Sequence, residues 1–487
     1  MASLISIGVT GLTANQLALG VTGNNITNAG VQGYSRQRVD FVTGPEQASG
    51  AGYIGSGVQV DQVRRVVEQF AIKQLQQHTA IFNDIDMQTT QSGVLDSLLA
   101  DQNTGLAPSL QDFFAGLQQA AQDPTSIPSR QVVLNDATSL AQRFNSLYSQ
   151  LQTQSNNINQ QLDELTQQVT SLAQAVAKLN RDISEASGAS GTEPNALLDK
   201  RDETIRQISE LVGTSAVQQS NGMVNVFLGN GQPLVVGTQA NTLGTATSPN
   251  DPARREVVFT TAGTGTAQPI SQFITGGQIG GLLNFRSGTL DNAFNTLGQV
   301  ALNVADSMNQ QQRLGLDLNG NFGSNIFTDI NTTAQMQARS MPNSGNTGTG
   351  LLQVQIDNAA ALTTTDYRLN FTSATAYELV NADGTAMTPP ITGTVGALPA
   401  TIATPDGFNI QLGTGSTFAA GDSYTIQPTR LGAQSIGVAL QRAQQLAFAQ
   451  PISTAASASN TGGGAISPGS MIAVYQADGV TRQPAFA

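Results

Sequence analysis

Apolar positions along this chain recur with three successive spacings, and each change of spacing marks a change of element. Near the N-terminus Ile5, Leu12, Leu19 and Ile26 stand at intervals of seven, which holds one apolar seam on a single face of a helix. Gly8, Gly11, Ala14 and Ala18 flank the seam and are small enough for a second backbone to approach closely. A glycine inside a helix costs about 1 kcal/mol relative to alanine, so the pattern predicts a helix completed by a partner. The same periodicity also fits an amphipathic helix packed on its own domain. The helix is expected to stop near Asn24-Asn25, because asparagine tolerates the left-handed conformation that ends helices. Gly30 and Gly33 then punctuate a loop, and Tyr34, Arg36, Arg38, Val39 and Phe41 alternate like an emerging strand.

Residues 42 to 62 are glycine-rich with strand-like pieces at Tyr53-Ile54 and Val58-Gln59-Val60, and predict an extended connector. From about Arg64 the texture is helical: Val67, Phe70, Ile81, Ile85, Leu95 and Leu99 sit on a Gln-rich background, interrupted near Asn103-Thr104-Gly105. Pro108 falls in the opening turn of a short helix carrying Leu110, Phe113, Phe114 and Leu117, which Asp123-Pro124 through Pro128 breaks. The longest signal follows. From Val133 through Ala137, Leu140, Phe144, Leu147, Leu151, Ser155, Ile158, Leu162, Leu165, Val169, Leu172, Val176 and Leu179 to Ile183 the steps alternate between three and four, with one stutter at Leu147–Leu151–Ser155 where a supercoil should locally unwind. Fifty such residues would span about 75 Å and need antiparallel neighbours along their length. A shorter helix is predicted from about Pro194 to Val212.

From Ala216 the period becomes two. Val224, Val226 and Leu228 face Leu234 and Val236 across Gly229-Asn230-Gly231, a hairpin signal, and Arg255–Thr260 and Gly281–Phe285 add strand-like pieces. Leu290, Phe294, Leu297, Ala301, Val304 and Met308 restore helical spacing before Gly315. Beyond Gly345 the chain is Thr/Gly-rich, with strands expected at Leu351–Ile356, Tyr367–Phe371, Ala376–Val380, Phe408–Leu412 and Ser423–Pro428, in a sandwich or small barrel. The fold class is therefore multidomain α+β: a coiled-coil-type N-terminal helix (1–41), an extended connector (42–63), a long α-helical bundle domain (64–344) with a small β insertion near 216–285, and an antiparallel β domain (345–430). Residues 431–487 are expected to hold a short helix at Leu431–Ala449, a flexible low-complexity stretch at 452–470, and the start of a truncated further module.

Composition narrows the chemistry. A chain of 487 residues is too long for one core. With 39% hydrophobic residues and no long uncharged apolar run, no membrane span is expected. Residues 1–32 contain no Lys or Arg, so the basic region of a cleaved secretory signal is missing. That alone would place the protein in the cytoplasm, without excluding export by another route. There is no cysteine and no tryptophan, and the net charge of −12 disfavours nucleic acid and anionic lipid as partners. His78 is the sole histidine, and with no cysteine neither a Cys/His zinc site nor a Cys–His nucleophile can form. Asp317, Asn319 and Asn321 begin like a calcium loop, yet Phe322 stands where glycine is needed and Thr328 where a bidentate Glu is needed, so a turn is expected. Gly263-Thr264-Gly265 lacks the third glycine of a dinucleotide motif. Asp163-Glu164 and Asp202-Glu203 diverge by about 100° around their helices and read as solvated faces. No enzyme, cofactor or metal is expected.

The run Gly11-Leu12, Ala14, Gln16, Leu19, Asn24-Asn25-Ile26, Asn28, Gly33-Tyr34 resembles the N-terminal signature of the flagellar rod, hook and hook-associated axial proteins. Its continuation Gly33-Tyr34-Ser35-Arg36-Gln37 is most similar to the hook-associated protein 1 family, although Thr27 stands where rod and hook proteins usually have Ala. Asn195-Ala196-Leu197-Leu198-Asp199 with Arg201-Asp202, Gly280-Gly281-Leu282 with Phe285-Arg286, Thr296-Leu297-Gly298-Gln299 with Ala301, and Gly421-Asp422-Ser423 resemble that family in order, over about residues 3–430. The resemblance implies a non-enzymatic structural subunit joining flagellar hook to filament, polymerising through its terminal helices and exported through the flagellum's own channel without cleavage. It implies as partners further copies of the chain, the hook protein, a second junction protein on the filament side, and an export chaperone bound through a C-terminal region. The family closes with C-terminal helices that pair with the N-terminal one; none follows here, and the chain is expected to lack that part. Ile5, Leu12, Leu19 and Ile26 are then expected to form the axial seam, Asn24, Asn25 and Asn28 its turn, and Gly33, Tyr34 and Arg36 the lock on the exit strand. A rod or hook subunit is the nearest alternative, disfavoured by the long helix. A surface glycan-binding adhesin or hydrolase is another, disfavoured by 5% aromatic content and the lack of tryptophan.

Overall fold

The computed structural model describes residues 4–49, 52–99, 105–229, 231–451, 471–475 and 482–486. The expected flexible stretch at 452–470 lies outside the described residues. Two compact units divide the chain, one made of Met1–Gln91, Ile158–Ala246 and Arg255–Phe285, the other of Ser92–Asn157, Thr247–Arg254 and Arg286–Ala487.

Seven main helices follow in order: α1 (Leu4–Thr27), α2 (Gln69–Leu99), α3 (Leu106–Gln122), α4 (Ile127–Ser190), α5 (Asn195–Leu211), α6 (Gly277–Asn284) and α7 (Asp291–Leu314). The three-and-four run forms the uninterrupted α4 of 64 residues, about 96 Å long at 1.5 Å per residue. Pro128 opens it, where a missing N–H costs nothing. Gly191, at φ +66°, closes it, its N–H donating to the Ser187 carbonyl at 2.9 Å. The stutter leaves the helix unbroken and places Gln154 and Ser155 among its buried positions. α4 contributes to both units.

In the first unit, β1 (Gln37–Thr43) and β4 (Val58–Arg65) pair antiparallel, and the hairpin β2 (Gln47–Ser49) and β3 (Gly52–Ile54) lies between them in sequence. The expected extended connector is therefore a paired ribbon. The helical texture starts at Gln69, later than Arg64, because Arg64 and Arg65 end β4. The C-terminal part of α4 buries Leu162, Val169, Ala173 and Val176. α5 buries Ile205 and Ile208, and the sheet β5 (Thr214–Gln218), β6 (Val224–Leu228), β7 (Pro233–Val236) and β8 (Gln239–Ala240) buries Val226, Leu228, Leu234 and Val235. A bulge after Val226 shifts the hairpin register, so Val235 is buried and Val236 is exposed, against the expected facing of Val236. Asn180 joins helix to sheet: its amide donates to the Val224 and Gly237 carbonyls at 2.8 and 2.7 Å and accepts the Val224 N–H at 3.2 Å. Strands β9 (Thr242–Thr247), β10 (Arg255–Thr260) and β11 (Ala267–Pro269) form a second, three-stranded sheet. Gly281–Phe285, expected as a strand, belongs instead to helix α6 and the turn after it. A Cβ at Gly281 would sit 2.5 Å from the Asp84 carbonyl and 2.9 Å from the Met87 Cβ, so glycine is what lets α6 lie against α2.

In the second unit, the start of α4 buries Val133, Ala137, Leu140, Phe144, Leu147 and Leu151, while α7 buries Phe294, Ala301 and Ala305. Tyr148 meets Phe294 edge-on at 5.3 Å. Gly298 of α7 lies so near the Thr429 carbonyl that no Cβ would fit. Asp291 pairs with Arg254 and, at 2.9 Å, with Arg430, whose guanidinium also covers the Phe294 ring at 4.5 Å. The β region is two facing sheets. One has the order β12 (Ser340–Pro342), β19 (Ser423–Ile426), β14 (Tyr367–Phe371), β15 (Ala376–Asn381), β16 (Ala386–Thr394); the other has β13 (Leu352–Ile356), β18 (Phe408–Leu412), β17 (Ala400–Ala403). Tyr367 and Phe408 pack across them at 5.1 Å. β16 and β17 were not expected from the sequence because Pro389, Pro390 and Pro399 mark them as irregular; both are edge strands, where proline is tolerated. The helix expected over Leu431–Ala449 shortens to Gly432–Ser435 and a 3-10 turn at Ala443–Gln445, while Val438 bridges to Phe327 and Ala449 to Leu316.

Candidate assembly interface

α1 has two unlike faces. Ile7, Thr10, Ala14, Ala18, Val21 and Asn25, three and four residues apart, are buried or half-buried, and the helix packs through them on β1 and β4. The seam residues lie about 150° round the helix from that face at 100° per residue. Ile5 is 78% exposed, Leu12 61%, Leu19 71% and Ile26 73%, and Val9 stands open beside them. Among the described residues nothing lies within 4 Å of a Cβ placed at Gly8, Gly11, Gly20 or Gly23. The close approach comes from the other side: at Gly57, φ +107°, an added Cβ would collide with the Thr10 side chain and come 3.5 Å from the Ile7 Cα.

α1 is also long and apolar enough to cross a membrane by length and composition, with mean hydropathy 1.4 over 18 residues. This corrects the expectation that no such run exists. Its polar residues are Ser, Thr, Asn and Gln, and the first charge in the chain is Arg36.

The helix ends at Thr27 rather than at Asn24-Asn25, and no described non-glycine residue has a positive φ. The asparagines work through their side chains. The Asn25 carboxamide pairs with both backbone groups of Gln37, accepting its N–H at 2.8 Å and donating to its carbonyl at 2.8 Å, as a neighbouring strand would. The Tyr34 hydroxyl donates to Asn25 Oδ1 at 2.8 Å and accepts from Asn24 Nδ2 at 3.2 Å, while Asn28 Nδ2 donates to Asn24 Oδ1 at 2.8 Å. Gly33, at φ +81°, turns the chain where a Cβ would come 3.0 Å from the Glu203 Cβ. Asn24, Asn25, Asn28, Gly33 and Tyr34 are thus brought together. Arg36 is not part of the lock as expected: its carbonyl accepts the Val66 N–H at 2.8 Å, but its guanidinium is exposed and has no partner among the described residues.

Sequence reasoning missed Arg65 and the role of α5. Arg65 Nη1 donates to Asp199 Oδ1 at 2.9 Å and to Asp202 Oδ2 at 2.8 Å. Burial opposes the charge of Arg65, and the two carboxylates outweigh it, holding its pKa above the ordinary value. Asp202 and Glu203 are accordingly not a merely solvated pair, because Arg65 takes one and Arg206 the other. The family-like Arg201 is buried, donating to the Gly222 carbonyl at 2.8 Å. The only advance signal for this cluster was the order Asn195 to Asp202 itself. His78 is exposed on α2, and Asp317 accepts the Asn319 and Asn321 N–H groups at 2.8 and 2.9 Å in a turn.

The flagellar hook-associated protein FlgK helical domain matches residues 92–327. Flagellar hook-associated protein 1 of Salmonella typhimurium (strain LT2) is 30% identical over 451 residues, covering 92% of this chain and 79% of the relative. The Escherichia coli (strain K12) protein of the same name is 31% identical over 372 residues, covering 76% of this chain and 67% of its own. The solved structure of the flagellar hook junction protein FlgK from Burkholderia pseudomallei superposes with a TM-score of 0.72 at 33% identity, over 82% of this chain and 70% of that one. Sequence and fold thus agree across most of the length, and this chain belongs to the flagellar hook-associated protein 1 family.

Proposed function

We propose that this protein is a non-catalytic structural subunit at the junction between the flagellar hook and filament, and that it joins its neighbours through the outer face of α1. The observation that carries the reading is the exposure of Ile5, Leu12, Leu19 and Ile26 on a helix whose opposite face is already packed. A contiguous exposed apolar strip of this kind marks an interaction surface. A second strip, Phe70, Leu75, Ile81, Phe82 and Ile85 of α2, is exposed in the same unit. The partners that fit are further copies of the chain, the hook protein on one side and a second junction protein on the other, with an export chaperone before assembly. The site of action is outside the cell, reached through the flagellum's own channel without removal of a leader.

The test is immunogold electron microscopy of isolated flagella with antibody raised against the β region (340–426). Label confined to the hook–filament boundary is the expected result. Label along the hook or in the rod would transfer the chain to those structures. Label on the cell surface away from flagella, with sugar released from added polysaccharide, would favour the glycan-active alternative.

A further inference from the structure

Residues 4–49 and 52–65 form an arm, α1 on the β1–β4 ribbon, that continues into α2 through one short link, Val66–Glu68. Among the arm's described residues only Ala14 and Val39 are buried apolar side chains. Apolar burial therefore contributes little to holding the arm in place, and polar contacts on one face of α5 must do it. Arg65 Nη1 bridges Asp199 and Asp202; the Ser35 N–H donates to Asp199 Oδ2 at 3.1 Å; Asn195 Nδ2 donates to the Val63 carbonyl at 2.6 Å; and Gly33 sits over Glu203. The Arg65 and Asp199 side chains are 6% and 10% exposed, so water screens this pair little.

We infer that Asn195, Asp199 and Asp202 form a receptor face on α5 for the arm, with Arg65 as its key, and that this clamp fixes the direction in which α1 is presented. These are positioning residues, and the inference rests on the assembly role proposed above. The charge balance makes the clamp sensitive. One guanidinium serves two carboxylates, so its removal leaves two like charges facing each other in a poorly solvated site. The arm should then pivot about residues 66–68 while α1, its seam and the ribbon stay folded.

The chain has no cysteine, so Thr13→Cys and Gln167→Cys, both at exposed positions, place two spin labels on α1 and α4. Electron–electron resonance distances are then read in this background and with Arg65→Gln, Asp202→Asn and the two combined. The parent should give one narrow distance. Arg65→Gln should broaden it by about twofold or more, as for a freed hinge. Adding Asp202→Asn to Arg65→Gln should narrow it again, because one of the facing charges is gone. An unchanged width in Arg65→Gln would overturn the inference, and so would broadening that Asp202→Asn leaves unrelieved. Should Arg65→Gln unfold the unit, Asp199→Asn carries the same readout, with a smaller broadening expected and an unchanged width counting against the clamp. Distances that respond as described, together with intact hook–filament joining in Leu12→Asp, would leave the clamp standing and refute the assembly role.

Discussion

Asn25 occupies the place of a strand neighbour, giving and taking one hydrogen bond with the backbone of Gln37. Replacing it by alanine leaves both Gln37 groups and the Tyr34 hydroxyl without that partner. The expected cost is about 1–3 kcal/mol for unpaired polar groups, nearer the lower figure because water reaches this turn. It should appear as faster hydrogen exchange at the Gln37 amide and at the last turn of α1, with Tyr34→Phe milder. Asp291 offers a pH test in the second unit. Burial works against its charge, but the guanidiniums of Arg254 and Arg430 outweigh that and hold its carboxyl below the usual carboxylate range. Its stabilisation is therefore full above an unfolded-state pKa of about 3.9 and is lost as pH falls through the lower folded-state value. Neighbouring Asp366 runs in the opposite sense, since burial pushes its carboxyl up and its charge costs stability at neutral pH. Asp291→Asn should lower stability at pH 7 by about 3–5 kcal/mol, as for a broken buried pair. The difference from the parent should shrink in thermal melts as pH falls through the lowered folded-state value of Asp291.

Elements divide sharply in how well the sequence announced them. α4 was legible because about fifty of its sixty-four residues, Val133 to Ile183, repeat one spacing. The seam of α1 was legible from its heptads. Its packed face was not, because Thr10, Ala14, Ala18 and Asn25 are small or polar and carry no apolar periodicity. Gly281–Phe285 reads as a strand because a short apolar run fits strand and helix alike; in the fold Gly281 lies in α6, where a Cβ would crowd the Asp84 carbonyl. The two kinds of helix glycine predict opposite outcomes. Gly281→Val should destabilise the first unit by about 1–3 kcal/mol through overpacking. Gly8→Ala, which meets nothing within 4 Å, should raise the helix stability of α1 by up to about 1 kcal/mol. Calorimetry for the first and hydrogen exchange for the second would check them.

At the scale of the whole molecule, conventional catalytic or metal-binding constellations gave no lead, and the distribution of apolar surface did. Family motifs quoted from the sequence prove to be joints: Asn195, Asp199 and Asp202 hold the arm, Arg201 reaches the β insertion, and Gly298 seats α7 against the Thr429 turn. None of these could be assigned from one sequence, since each partner lies far away along the chain. Joining of hook to filament is proposed to run through the outer seam of α1, as a surface for other subunits. Leu12→Asp, expressed from the full-length gene in a strain lacking the native protein, tests it most directly. Leu12 is exposed, so the isolated monomer should melt within about 0.5 kcal/mol of the parent. Filaments should nevertheless fail to join the hooks, and swimming should be lost. Normal filaments and normal motility in that strain would contradict the account.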